Sequence, residues 1–171
     1  MAGRRIPGKV GAVVVNARRA YLAPMTSDVS PVSSIDAAFA ELAEEFDLLG
    51  DWEGRIEYVI ELGKELEPLP DAARSEANKV PGCAAQVWLA ARREDGRLHF
   101  RADSDSALSK GNIALLLRLY SGRTPEEILA FDARAALDRL GLPSALTRQR
   151  ANGLNAMVGR IREAAVTAAG Q

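Results

Sequence analysis

The stretch Ala85-Gln86-Val87-Trp88-Leu89-Ala90-Ala91-Arg92, then Asp95-Gly96, then Arg97-Leu98-His99-Phe100-Arg101-Ala102, decides the fold. Residues 97–102 alternate, which sets Leu98, Phe100 and Ala102 on one face of a strand. The run from Ala85 to Arg92 reads as its partner. Asp-Gly between them is a hairpin signal, because these two residues accept the positive φ that a two-residue turn demands. A short piece at Lys79–Val80 reads as a third, edge strand.

Working outward, the remaining periodic segments are helical. Ser33 or Ser34 caps a helix carrying Phe39, Leu42, Phe46 and Leu49. Gly50 ends it, and Asp51 opens a second with Trp52, Ile56, Val59, Ile60 and Leu66. Pro68 and Pro70 stop helical propagation, and residues 71–82 read as a loop. Beyond the hairpin, Asp103 or Asp105 caps a helix through Leu108, Ile113, Leu116, Leu117 and Tyr120, closed by Gly122. Thr124-Pro125-Glu126-Glu127 combines an N-cap, a first-turn proline and a glutamate at the third helical position. A short helix after Asp132 ends at Gly141, and Thr147 opens the last, with Leu154, Met157, Val158 and Ile161 on one face. The expectation is α+β: an antiparallel sheet of about three strands with helices packed on one face.

At 171 residues and 47% hydrophobic content, the chain suits one domain with a proper core. A net charge of −1 gives no whole-molecule attraction for nucleic acid or a membrane surface. No apolar run reaches the length of a membrane span. Five of the 22 basic residues (Arg4, Arg5, Lys9, Arg18, Arg19) fall in residues 1–27, which hold no acid; the rest sets 17 against 23 acidic side chains. Residues 1–32 therefore read as a disordered or extended N-terminal extension, and residues 33–171 as a single domain. Met25 is an alternative start, and a transit peptide is an alternative reading of the basic segment.

The sole cysteine, Cys83, follows Pro81-Gly82 at the point where a turn enters the first strand. One cysteine forms no internal disulfide, and one cysteine with one histidine does not make a zinc site. Taken alone, Cys83 is either a small buried hydrophobe or a thiol that works unaided. A single thiol suits a reducing cytosol. His99 points outward on its strand, and no hydrolase pattern joins it to Cys83. Val80, Ala84, Ala85 and Val87 offer apolar cover for the thiol. Desolvation there holds its pKa at or above the ordinary value of about 8.5.

The text around Cys83 resembles the SufE family of sulfur acceptors. The resemblance runs in order through Glu61-Leu62-Gly63-Lys64-Glu65-Leu66, Pro68-Leu69-Pro70, Asn78-Lys79-Val80-Pro81-Gly82-Cys83 and Gln86-Val87-Trp88-Leu89. It continues in Asp103-Ser104-Asp105, Lys110-Gly111, Tyr120-Ser121-Gly122-Arg123-Thr124-Pro125-Glu126-Glu127-Ile128 and Arg150-Ala151-Asn152-Gly153-Leu154. In all it spans about Ile35 to Ala165. There are three departures: Ala84-Ala85 stands for the usual Gln-Ser, Arg148 for a common proline, and Asn112 for a residue usually apolar.

The resemblance implies a SufE/NifU-like fold and a cytoplasmic protein, monomeric or weakly dimeric, with no turnover of its own. Its partner would be a cysteine desulfurase, which carries the pyridoxal phosphate, so this chain needs no cofactor or metal. Cys83 would accept persulfide sulfur, stimulate the desulfurase and pass the sulfur to an iron–sulfur scaffold complex. Lys79, Val80, Gly82, Gln86, Asp105 and Arg150 would serve docking or line a pocket, with Asp103 and Lys64 as further rim candidates. Alternatives are an activator that carries no sulfur, and a relay toward tRNA or cofactor thiolation.

Overall fold

The computed structural model describes residues 34–142 and 146–171. The expected N-terminal extension lies outside the described residues. Helix α1 (Ile35–Asp47) starts at Ser34, whose hydroxyl accepts from Ala37 N–H at 3.1 Å. Helix α2 (Trp52–Lys64) starts at Asp51, which accepts from Gly54 N–H at 2.9 Å. Each cap satisfies one of the amide donors left over in a first turn. Strands β1 (Val87–Glu94) and β2 (Arg97–Ser104) form the hairpin, with Val87 opposite Ser104 and Glu94 opposite Arg97. Helix α3 (Ala107–Tyr120) packs on β2, and α6 (Arg148–Ala169) on β1. Helices α4 (Pro125–Ala130) and α5 (Ala133–Arg139) lie between them in sequence. Thr124 and Glu127 complete the capping box of α4.

The fold is α+β, as the hairpin and the helical periods require. Val87, Leu89, Leu98, Phe100 and Ala102 are buried, so one sheet face meets the helices. Helices α2 and α3 touch backbone to backbone. A Cβ built on Gly111 would stand 2.1 Å from the Val59 carbonyl oxygen, and one on Gly63 would stand 2.4 Å from Gly111 N. Glu45 of α1 joins this pair by accepting from Tyr58 of α2 and Arg118 of α3. Burial and the Glu45 charge drive the Tyr58 phenol well above its ordinary pKa.

Three expectations need correction. The third strand shrinks to a single bridge, Lys79 opposite Trp88, with Val80 N–H on the Val87 carbonyl at 2.8 Å. Pro81 has no N–H to extend the ladder, and Gly82 at φ +85° turns the chain away. Residues 71–82 contain two short 3₁₀ turns, Asp71–Ala73 and Glu76–Asn78, where only a loop was expected. Strand β2 runs on to Ser104, so neither Asp103 nor Asp105 caps α3; Ser106 does. The extra pairing is held by the Ser104 hydroxyl, which donates to the Gln86 carbonyl at 2.7 Å.

Candidate functional site

Cys83 sits on the segment between the Lys79–Trp88 bridge and the start of β1. The far end is clamped: Asp105 Oδ1 accepts from Gln86 N–H at 3.1 Å, while Gln86 C=O takes the Ser104 hydroxyl. Between these anchors Pro81 and Gly82 form an exposed turn. A positive φ is open to Gly82 and strained for a side chain, although the nearest atom, Ala156 Cβ, would leave room at 3.7 Å. The turn aims the thiol inward at α6. There Cys83 Sγ donates to the Gly153 carbonyl at 3.6 Å, and a Cβ on Gly153 would lie 3.6 Å from Sγ. The thiol thus rests on the backbone of α6 at Gly153.

A small recess adjoins Sγ, lined by Ala84, Leu108, Ser109, Asn112, Arg150 and Met157 together with Gly153. It leaves about 10 Å³ for the centre of a water-sized sphere, which is room for about one such sphere. Burial pushes the Cys83 thiol above its ordinary pKa, so the resting group is the protonated thiol. Among the described residues no cluster of His, Cys, Asp and Glu could hold a metal ion.

The structure brings together only part of the residue set expected from the sequence. Cys83 and Arg150 both line the recess, Arg150 from the first turn of α6. Asp105 and Gln86 meet, but through the Gln86 backbone, as a brace for the loop. Lys79 pairs with Glu76 at 3.7 Å and Lys64 with Glu61, so both cations are occupied within their own segments. Val80 and Val87 belong to the main core and, with Ala85, are absent from the recess lining. The thiol's cover comes from α3 and α6 instead, because the strand's inward face points at the core beneath.

Asp103 is not a rim residue either. It is 2% exposed and accepts from Leu69 N–H, Ser104 N–H and Arg74, with Lys110 at 3.6 Å. Burial alone would raise its pKa, but these bonds and cations outweigh it and hold the carboxyl below its ordinary value. Missing from the expected site were Leu108, Ser109, Gly153, Met157 and Asn112. The signal for Asn112 lay in its position, one helical turn from Leu108 on an otherwise apolar face.

The description "SufE: Fe-S metabolism associated domain" matches residues 40–165. The chain belongs to the SufE family and has a role in iron–sulfur metabolism. It is 44% identical over 133 residues to an uncharacterized SufE-like protein of Rhizobium etli, covering 75% of this chain and 90% of that one. A second uncharacterized SufE-like protein, from Rhizobium meliloti, is 41% identical over 129 residues, with 73% and 92% covered. The solution structure of a hypothetical protein from Thermus thermophilus shares the fold, with a TM-score of 0.66 at 22% identity, covering 78% of this chain and 97% of that one. Among the described residues no helix is long and apolar enough to cross a membrane.

Proposed function

We propose that this protein accepts sulfur from a cysteine desulfurase on Cys83, stimulates that enzyme by relieving it of its product, and delivers the sulfur for iron–sulfur cluster assembly. The observation that carries this reading is a half-buried thiol beside a recess sized for one further atom, on a turn held at both ends and free at its tip. The Cys83 thiolate attacks the outer sulfur of the donor's persulfide. A new S–S bond forms at Cys83 Sγ, the donor's own S–S bond breaks, and its cysteine leaves as a thiolate; no net oxidation occurs.

The resting site suppresses reaction, since the thiol is protonated and bonded to Gly153 C=O. Docking has to lift Cys83 from Gly153, and Gly82 supplies the backbone freedom for that rotation. Arg150, beside the thiol, then favours the thiolate. Its charge opposes the dipole of α6, and an anionic sulfur offsets that conflict. Within this reading Lys79, Gln86 and Asp105 hold and frame the loop that the desulfurase engages.

Incubation with a desulfurase and cysteine is expected to add one sulfur mass, located at Cys83 and lost in Cys83→Ser. An unmodified protein, or a variant that stimulates the desulfurase as well as the parent does, would show that Cys83 carries nothing.

A further inference from the structure

Leu48 and Trp52 stand out at the corner where α1 turns into α2. Leu48 is 78% exposed and Trp52 60%, and among the described residues only Val166 is a comparably exposed large hydrophobic side chain. One such residue needs no explanation, but two at a single corner offer apolar surface to a partner. The corner is also strongly acidic. Residues 34–67 hold eleven carboxylates against two cations, Arg55 and Lys64. Glu41 and Glu44 of α1, with Glu53 and Glu57 of α2, are exposed and make no ion pair among the described residues. Helix α1 brings the negative end of its dipole to this corner and has no basic residue in its last turn, so a cation is favoured there.

We infer that the occupant of this corner is the chain's own amino-terminal segment, with Arg18-Arg19 set against the carboxylates and Tyr21-Leu22 against Leu48 and Trp52. The segment has the complementary chemistry: residues 1–27 hold five basic side chains and no acidic one. It also has the reach. Helix α1 has 13 residues, so it is about 20 Å long, and the segment joins it at the end opposite Leu48. Leu22 lies twelve positions before Ser34, a stretch that spans up to about 40 Å when extended. Attachment to the same chain raises the local concentration of the segment, so weak contacts suffice. Other occupants fit less well. A second copy would set the same carboxylates against themselves, and an anionic lipid surface would be repelled. The corner is also remote from the thiol. Tyr58 of α2 meets Arg118 of α3 while Gly63 meets Gly111, so the two helices run antiparallel. Leu108 and Ser109, at the start of α3, line the recess beside Cys83, which puts Leu48 and Trp52 at the far end of the helix pair. A segment held there leaves Cys83 open, so this inference stands apart from the carrier reading.

The test uses the full chain with fluorotryptophan at its two tryptophans, Trp52 and Trp88, and a nitroxide attached through Ala20→Cys in a Cys83→Ser background. Trp88 lies under Arg74, opposite Asp103 in the hairpin, and serves as the internal control. The nitroxide is expected to broaden the Trp52 fluorine resonance until most of its intensity is lost, and to leave that of Trp88 sharp. Arg18→Glu combined with Arg19→Glu is expected to restore most of the Trp52 intensity. Raising the salt to ~1 M, which screens exposed charges beyond about 3 Å, is expected to act in the same direction. Equal broadening of both resonances, broadening of neither, or a Trp52 resonance that stays broad in the charge-reversed variant would each overturn the inference. So would equal broadening of Trp52 in a mixture of nitroxide-labelled chains and separately fluorinated ones, which would assign the corner to a second copy.

Discussion

Gly111 and Gly153 both meet a neighbouring segment's backbone, and they do so with opposite clearances. At Gly111, α3 lies so close to α2 that an added methyl would stand 2.1 Å from the Val59 oxygen. At Gly153, the same methyl would stand 3.5–3.7 Å from Cys83, an ordinary contact. The first junction is filled to the last atom and ties the framework helices together. The second keeps a margin of about one atom, next to a thiol. Packing to native density gives rigidity, so a site that must admit and release an atom has to be locally under-packed. The framework and the site therefore follow opposite rules within one domain.

The strongest way to break this contrast is Gly111→Ala. Alanine is favoured over glycine inside a helix by about 1 kcal/mol. Here the clash is with a backbone carbonyl that no rotamer change can move, and overpacking of this kind costs about 3 kcal/mol or more. The net expectation is a loss of about 2 kcal/mol, a melting temperature several degrees lower, measured by calorimetry. An unchanged melting temperature would mean the two helices separate freely.

Asp103→Asn addresses the support beneath the site. Breaking a buried ion pair is expensive, but Arg74 is 38% exposed and recovers part of its hydration, so the expected cost is about 1–2 kcal/mol at neutral pH. Because the folded pKa is depressed, this stability is present above the unfolded value of about 3.9 and is lost as pH falls through the folded value. Urea melts at descending pH should therefore converge for the two proteins in acid. A constant difference at every pH would rule out the charge as the origin.

Gly153→Ala is the smallest change and the sharpest. Helix propensity acts unopposed there, so stability should rise by up to about 1 kcal/mol. The new methyl narrows the margin beside Sγ, so sulfur loading of Cys83, followed by intact mass, should fall. A variant that is more stable and loads normally would show that the recess is not where the sulfur sits.

Much of this was legible from residues 85–102 and the helix caps. Ser34, Asp51, Thr124 and Asp132 all stand where side-chain chemistry puts them, because a cap is a local bargain between one side chain and one amide. Asp103 and Asp105 misled for the same reason. Both have good capping chemistry, but the longer strand took Asp103 into a buried ion-pair cluster, and Asp105, just beyond it, accepts from Gln86 N–H instead. Lys79–Val80 had the composition of a strand and lacked the following amide to continue it. The thiol's cover was assigned to its sequence neighbours, yet Leu108, Asn112, Arg150, Gly153 and Met157 supply most of it from well over twenty residues away.

By itself the sequence determined the hairpin, the helices and their caps, the lone thiol behind Pro81-Gly82, and membership of the SufE family. These follow from periodicity, turn chemistry and ordered motifs, all of which act within a few residues or can be read in order along the chain. Only the tertiary structure decided that Gly153 lies beneath Cys83, that Asp103 is buried among cations, and that Asn112 of α3 lines the same recess as the thiol. Those facts depend on how close α3 and α6 come to one loop, a distance set by the packing of the whole core and carried by no local pattern.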